Sequence, residues 1–511
     1  MQLIRRPLLG YENRFSAGAL REESADIIVP DSYPDILQII DAKGLVCVKE
    51  KHVSDAGVEL AGAIRVSVLY KPDDPAFSSG FNTVKKIEIV IPFTHVFEQR
   101  GLSDGKVFAA ALLTSTSART VNPRKVSVTA CVHMDVQVYT PYSHELSIGM
   151  SESGFETLTK QTRAHMLESV RDKSIVIADQ IELPSGRPPI GEILHAGVKL
   201  STKETKVIGN KVVLKGGADV SILYQNHMSE AIALSTWNQE IMFSHIIETD
   251  TADESANIFA ALTLAGIDLD LRGDGRTIDV QLVIDAQLTA VCERNVDALT
   301  DAYSTVYDIM PDMKELSLYT VPESFSARVQ ARESAQVNPS IHSIVDTEII
   351  LQPIEKTADG ENTVLRCEAI AKVIYVTEDA DYACAEIRIP VSAAVANPHG
   401  FGVAANVSSA GDVFSGVTAE GLEVRFAALF EGVLTERKKL SVVDGIRGDM
   451  ETPRESDDRA SVTLRRLNHG ETLWDIAKRH CATQKDIMAA NALLETTELE
   501  TGTLLLIPRK R

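Results

Sequence analysis

Residues 27–70 read IIVPDSYPDILQIIDAKGLVCVKEKHVSDAGVELAGAIRVSVLY, and residues 181–224 read IELPSGRPPIGEILHAGVKLSTKETKVIGNKVVLKGGADVSILY. The two segments align without a gap at an offset of 154 residues, with sixteen identities in 44 positions. Pro30 meets Pro184, Pro34 meets Pro188, Ile36 meets Ile190 and Gly62 meets Gly216. The match closes on Val66, Ser67, Leu69 and Tyr70 against Val220, Ser221, Leu223 and Tyr224. A period of this length is that of a whole domain, too long for a solenoid unit. The tyrosine-ended strand recurs a third time at Ala371, Lys372, Val373, Ile374 and Tyr375.

Each copy ends in a long alternating run. Val126, Val128, Ala130, Val132, Met134, Val136 and Val138 fall on one face. Ile278, Val280, Leu282, Ile284, Ala286, Leu288 and Ala290 do the same in the second copy. In the third the run is Leu422, Val424, Phe426, Ala428, Phe430 and Leu434, with Gly432 between. Successive side chains leave a strand on opposite faces, so this period marks half-buried strands. Ser127, Thr129 and Asp135, then Asp279, Gln281 and Asp285, then Glu423, Arg425 and Glu431 fill the other face. One solvated face predicts antiparallel rather than parallel sheet.

At 511 residues the chain is long enough for three or four domains, and 44% apolar residues suffice for their cores. A net charge of −21 argues against nucleic acid, whose phosphates it would repel. Residues 461–511 carry eight Lys/Arg against six Asp/Glu, a net of +2, leaving −23 for the rest: a basic tip on an acidic body. Cys47, Cys131, Cys292, Cys367, Cys384 and Cys481 are scattered, without metal-ligand spacing, and read as free thiols of a reducing compartment. No metal site or cofactor is expected. The first ten residues lack the apolar core of an export signal, and no run approaches 18 apolar residues, so membrane insertion is not expected either.

The division that follows is an arm over 1–22 and repeats over 23–149, 150–305 and 306–443. The second repeat opens with a connecting helix, predicted from the spacing of Phe155, Leu158, Met166, Leu167 and Val170. Turn signals separate the strands, as at Lys71-Pro72-Asp73-Asp74-Pro75 and Arg272-Gly273-Asp274-Gly275. The Arg-Gly-Asp triplets at 272–274 and 447–449 are read as turn chemistry, not adhesion. Residues 444–460, with Glu451, Pro453, Arg454, Glu455, Asp457 and Asp458, bury almost nothing and read as a solvated linker that frees the tip from the body.

Beyond the linker, Thr472 and Asp475 form a capping box before a helix that shares Leu473, Ile476 and Ala477 on one face. Thr483 and Asp486 do the same for a second helix with Ile487, Ala490 and Leu493, and Asn491 suits the left-handed turn at its end. A last strand stops at Pro508. Trp474 reads as core rather than a sugar platform, and His480 as a structural histidine rather than a ligand or base. Residues 461–511 closely resemble a LysM domain. The carriers are Leu467, Gly470, Glu471, Thr472, Leu473, Trp474, Ile476, Ala477, Asn491, Leu493, Leu499, Gly502, Leu505, Ile507 and Pro508. His480 and Cys481 depart from the family pattern. The resemblance implies a strand-helix-helix-strand fold and a groove for N-acetylglucosamine glycans between Gly470, Glu471, Thr472 and Leu473 and the second loop, Asn491, Ala492, Leu493 and Leu494. A protein ligand on the same fold stands as the alternative.

The repeats resemble the SPOCS domain of spore coat proteins, on Pro34-Asp35-Ile36 and Pro188-Pro189-Ile190, the Val-Ser-x-Leu-Tyr strands and the closing strands. The expected fold class is therefore multidomain and mainly β: three tandem antiparallel β-rich repeats and one small α+β module. Several SPOCS copies with a terminal LysM resemble the spore coat morphogenesis proteins. That resemblance implies a non-catalytic scaffold in the mother-cell cytoplasm, recruited to the forespore surface. Its partners would be peptidoglycan or a chitin-like glycan, an ATP-hydrolysing basement-layer protein, or both. The rival reading is a LysM-anchored cell-wall hydrolase. No His-Glu-x-x-His, Gly-x-Ser-x-Gly or phosphate-binding glycine loop occurs in the chain, and no catalytic residue is assigned.

Overall fold

The computed structural model describes residues 3–73, 84–102, 104–152, 154–226, 233–251, 253–449, 451–454, 462–494 and 499–508. The first unit runs β1 (Leu3–Ile28), β2 (Ile36–Ser54), β3 (Gly57–Pro72), β4 (Lys85–Glu98), β5 (Lys106–Asn122) and β6 (Lys125–Met150). The second runs β7 (Phe155–Glu182), β8 (Ile190–Ile208), β9 (Lys211–Asn226), β10 (Leu234–Glu248), β11 (Asn257–Leu271) and β12 (Thr277–Ser304). The third runs β13 (Asp308–Ala335), β14 (Ile341–Leu351), β15 (Glu355–Asp359), β16 (Asn362–Thr377), β17 (Tyr382–Ala396), β18 (Gly402–Thr418) and β19 (Gly421–Asp449).

All three follow one plan. A small sheet (β2-β3-β4, β8-β9-β10, or β14-β16-β17 with β15 added) faces a large one (β1-β6-β5, β7-β12-β11, β13-β19-β18), and the first two large sheets join into one six-stranded sheet where Tyr11 of β1 pairs with Leu167 of β7. Among the described residues every strand pairing in the three units is antiparallel. The alternating runs are the inner faces of the closing strands: Val126 to Val138 lie at 0–1% exposure. Burying each such side chain is worth about 1.5–3 kcal/mol, which makes these strands the spine of each core. Glu423, expected on the solvated face, is instead covered by Arg332 and Arg425.

The repeated tyrosine ends the central strand of the small sheet and is fully buried. In the first unit its hydroxyl donates to the Pro34 carbonyl at 3.1 Å, and in the third Tyr375 donates to Pro339 at 3.2 Å. That bond pins the loop through which the chain crosses from large sheet to small. Arg124 fastens the same loop in the first unit, bonding the carbonyls of Val29, Pro30 and Tyr33 and the Asp35 carboxylate. Arg276 does so in the second, through Pro184 and Arg187. The third unit has Glu420 at that position and a loop of five residues, 336–340, instead of seven.

Two expectations fail. Leu3–Ile28 is no arm; it pairs along its length with β6, and Phe15, Ala17, Ala19, Ala25 and Ile27 pack on the core. Phe155–Glu182 is no helix; it is the strand that opens the second unit and pairs with β12. A register shift between Ala290 and Val291, opposite Ser169 and Leu167, breaks the alternation of β7. Apolar residues on either side of that bulge then fall at spacings that imitate a helix.

The units meet through equivalent residues. Ile40, Leu194 and Val345, then Leu69, Leu223 and Ile374, then Val84, Leu234 and Tyr382, one from each unit, share a single apolar cluster. Such contacts place the three small sheets around a pseudo-threefold axis. The long strands overshoot their sandwiches, and their ends pack into a second shared cluster with Leu146, Ala164, Met166, Val296, Leu316, Leu318, Leu440 and Val442. Cys47, Cys292 and Cys367 are buried thiols, and Cys131, Cys384 and Cys481 half-buried ones. Among the described residues no helix is long and apolar enough to cross a membrane.

Candidate functional site

The C-terminal module is β20 (Val462–Arg466), α1 (Leu473–His480), α2 (Gln484–Ala490) and β21 (Leu504–Pro508), with β20 and β21 antiparallel. The capping box at α1 is present in full. The Thr472 hydroxyl accepts from the Asp475 amide at 3.2 Å, and the Asp475 carboxylate accepts from the Thr472 amide at 2.8 Å. The Thr472 hydroxyl also donates to the Asp475 carboxylate at 2.7 Å, and this bond, with the one from the Thr472 amide, holds the Asp475 carboxyl below the usual carboxylate range. Thr483 caps α2 by accepting from the Asp486 amide at 3.0 Å. The core is Leu467, Trp474, Ile476, Ala477, Ala482, Ile487, Leu505 and Ile507, against which Leu473 and Leu493 also pack.

Of the eight expected groove residues, Gly470, Thr472, Ala492 and Leu494 are exposed, Leu494 at 72%. Gly470 adopts a φ of 77°, with open space where a Cβ would stand. Glu471 has a different job. Its carboxylate accepts from Arg465 at 2.8 Å, Arg479 at 2.6 Å and the Asn468 amide at 3.1 Å, and so organises the loop from within. Asn491 is also structural. Its amide donates to the Ile487 and Leu506 carbonyls and accepts from the Leu506 amide, tying α2 to β21. With Asn491 so engaged at φ −111°, the left-handed turn falls one residue later, at Ala492 with φ 53°. An open depression of about 530 Å³ flanks the first loop, lined by Asn468, His469, Gly470, Glu471, Asp475, Lys478 and Arg479. It shares only Gly470 and Glu471 with the expected groove.

The module is docked, which the reading of 444–460 as a freeing linker did not foresee. Asp444 to Asp449 continue β19, because β13 runs far enough to pair with them; residues 455–460 lie outside the described ones. Asp301, near the end of β12, accepts from Trp474 Nε1 at 2.8 Å and from Lys478 Nζ at 2.6 and 2.7 Å. The Tyr303 hydroxyl donates to the Ala482 carbonyl at 2.7 Å, and its ring meets Trp474 edge-on at 4.9 Å. Arg454 bonds Asp308 at 3.0 Å and touches the Cys481 sulfur. Trp474 is therefore both core and interface. Of the two Arg-Gly-Asp triplets, the one at 272–274 lies at a turn, where Asp274 accepts from the amides of Arg276 and Thr277, and the one at 447–449 lies in β19.

Replacing Asp301 with alanine strands the Trp474 N–H and the Lys478 ammonium at a partly buried contact. The expected loss is roughly 2–3 kcal/mol of docking free energy, since hydrogen bonds to charged groups carry about 1.5–3 kcal/mol each. Calorimetry should then show the module melting apart from the body. A single unchanged transition would rule the contact out as the holding one.

Family comparison agrees with this anatomy. The model described as SipL, SPOCS domain matches residues 35–136 and 189–272, and the LysM domain model matches 468–508. No curated protein and no solved structure matches. Both SPOCS segments begin in or beside the arginine-clamped loop. The third unit, which shares the sheet plan but lacks the clamp, lies outside the matched residues. Both kinds of domain are binding modules rather than catalytic ones. The chain thus matches the SPOCS domain within its first two units and the LysM domain over residues 468–508.

Proposed function

We propose that the protein is a non-catalytic scaffold of endospore coat assembly, with the LysM module anchoring the body to peptidoglycan at the forespore surface. The observation that carries this is the direction of docking. The body takes one side of the module through Trp474, Lys478 and Ala482, while Gly470, Thr472, Ala492 and Leu494 of the two loops stay exposed. Backbone amides and carbonyls of these loops suit acetamido groups, and Leu473, Leu493 and Leu494 supply apolar walls for their methyls. The body adds three sandwiches of one plan, and several weak contacts made together on a shell gain by effective concentration. A basement-layer coat protein is the alternative partner for the LysM module.

The test is co-sedimentation of the full chain with purified peptidoglycan, using Ala492→Arg and Leu494→Arg. Both put a long charged side chain into the groove from exposed positions. Asn491→Ala is unsuitable, because it unties β21. Each arginine should weaken binding by about tenfold or more, the equivalent of about 1.4 kcal/mol, with an unchanged melting temperature. Equal pelleting of parent and variants would move the ligand elsewhere, and no pelleting at all would leave protein recognition as the module's role. Release of reducing sugar from the sacculi would overturn the scaffold reading outright.

A further inference from the structure

Beneath the apolar cluster on the pseudo-threefold axis lies a buried polar node, and there the three units differ. Asp41, His195 and Asp346 are equivalent positions, as are Lys43, Gly197 and Glu348, and Ser67, Ser221 and Lys372, each set at offsets of 154 and 151 residues. Lys43 is 1% exposed and reaches Asp346 and Glu348 at 2.8 Å and Asp41 of its own unit at 3.8 Å. Lys372 reaches Asp41 at 2.8 Å and also donates to the carbonyls of Ala42 and Thr116. His195 Nδ1 lies 3.4 Å from the Ser67 hydroxyl.

These contacts run one way around the axis. Position 67 of the first unit meets position 195 of the second, and its equivalent in the third, 372, meets position 41 of the first. Ser221 and Asp346 are the remaining members of the cycle. The carboxylate excess of the third unit therefore faces the lysine of the first, and the lysine of the third faces the aspartate of the first. A trimer of the first or of the third unit would do worse. Three copies of the first would set Lys43 against Lys43 and leave each Asp41 facing a serine in place of Lys372, and three of the third would crowd six carboxylates around three ammonium groups. Three copies of the second carry no carboxylate or ammonium at these positions. A buried charge without its partner is costly, so the two charged assemblies are disfavoured, while in the mixed one Lys43 and Lys372 both meet carboxylates.

We propose that this node is an order code. It makes the three units close around the axis in one cyclic order within one chain, and it disfavours closure through the first or the third units of neighbouring copies. Buried polar groups that specify register at the expense of stability are known from coiled coils, and inter-unit exchange is the corresponding hazard for tandem repeats.

The code can be moved without changing its composition. In a rotated full chain every unit receives the signature of the unit before it: Lys43→Glu, Ser67→Lys, His195→Asp, Gly197→Lys, Asp346→His, Glu348→Gly and Lys372→Ser. Neighbour contacts are preserved. In a transposed chain only the first and third units exchange: Lys43→Glu, Ser67→Lys, Glu348→Lys and Lys372→Ser. All charges remain, but position 67 now offers lysine to His195, and Asp41 loses its cation. The rotated chain should stay monomeric on size exclusion and melt within about 5 °C of the parent. The transposed chain should lose about 10 °C or more, or exchange units between copies, since buried charges are left without their counter-charges. Equal behaviour of the two folded chains would overturn the proposal. Should neither fold, the cycle Asp41→Asn, Lys372→Met and their double variant decides. A double no worse than the worse single supports pairing across units, and additive losses overturn it.

Discussion

Replacing Lys43 with methionine is expected to destabilise the three-unit body by about 3–5 kcal/mol, the cost of removing one partner from a buried ion pair. The lysine stem has room for methionine, so the loss is electrostatic and not steric. Lys43 is the cation nearest to Asp346 and Glu348, both at 2.8 Å, while Lys372 is engaged by Asp41. Burial alone would push the Lys43 ammonium down; the carboxylates of Glu348, Asp346 and Asp41 outweigh it and hold its pKa well above that of an ordinary lysine. The reciprocal effect draws the Glu348 carboxyl down to about 2, against a burial that would raise it. Methionine leaves those carboxylates facing one another with Asp41 buried and Asp346 and Glu348 only partly exposed. Urea unfolding at pH 7 followed by circular dichroism reads the change, and a loss below about 1 kcal/mol would mean that the node is wet enough to dispense with its cation. Adding Glu348→Gln and Asp346→Asn to the methionine variant should recover part of the loss, because no carboxylate then remains without a counter-charge.

The same node shows where the sequence was legible and where it was not. Closing strands were readable because Val126 to Val138 alternate without interruption and every inward residue is apolar. The opening strands were not. β1 packs mostly small residues (Ala17, Ala19, Ala25), and β7 changes phase at a bulge, so neither shows a clean period of two. In the C-terminal module the caps at Thr472 and Thr483 were legible because they are made within three residues. Asn491 was misplaced because its partner, Leu506, lies fifteen residues on, and the docking of Trp474 on Asp301 spans 173 residues. An internal alignment rewards positions that agree, so it drew attention to the shared tyrosines and prolines. The node sits where the copies disagree, at Asp41, His195 and Asp346, and an alignment scores those as noise. What joins the units is their difference, and only the packed structure brings those differences face to face.

Lowering the pH from 7 to 4 is expected to remove on the order of 3 kcal/mol of stability through one side chain, His195. The imidazole is buried at the junction, facing Ser67 at 3.4 Å with Lys43, Glu348, Asp346 and Asp41 around it. Burial lowers its pKa from 6.5 to about 4; Lys43 adds to that, and the three carboxylates oppose it without prevailing. In the unfolded chain the group titrates near 6.5, so between 6.5 and 4 the unfolded state binds a proton that the folded state refuses. Stability must therefore fall as the pH drops through that window, and level off for this group below 4. A second limb follows from Glu348, whose folded carboxyl at about 2 lies below its usual 4.5, so its contribution is complete above 4.5 and is lost between 4.5 and 2. The two windows barely overlap, which makes them separable by substitution. His195→Gln keeps a polar group against Ser67 but cannot take the proton, and it should flatten the profile between 6.5 and 4 while leaving the lower limb. Urea midpoints of parent and variant across pH 3–8 give the answer. Parallel profiles through the upper window would show that the imidazole accepts its proton without disturbing the junction, and the carboxylates would then have to be credited with more of the field at His195 than its burial allows.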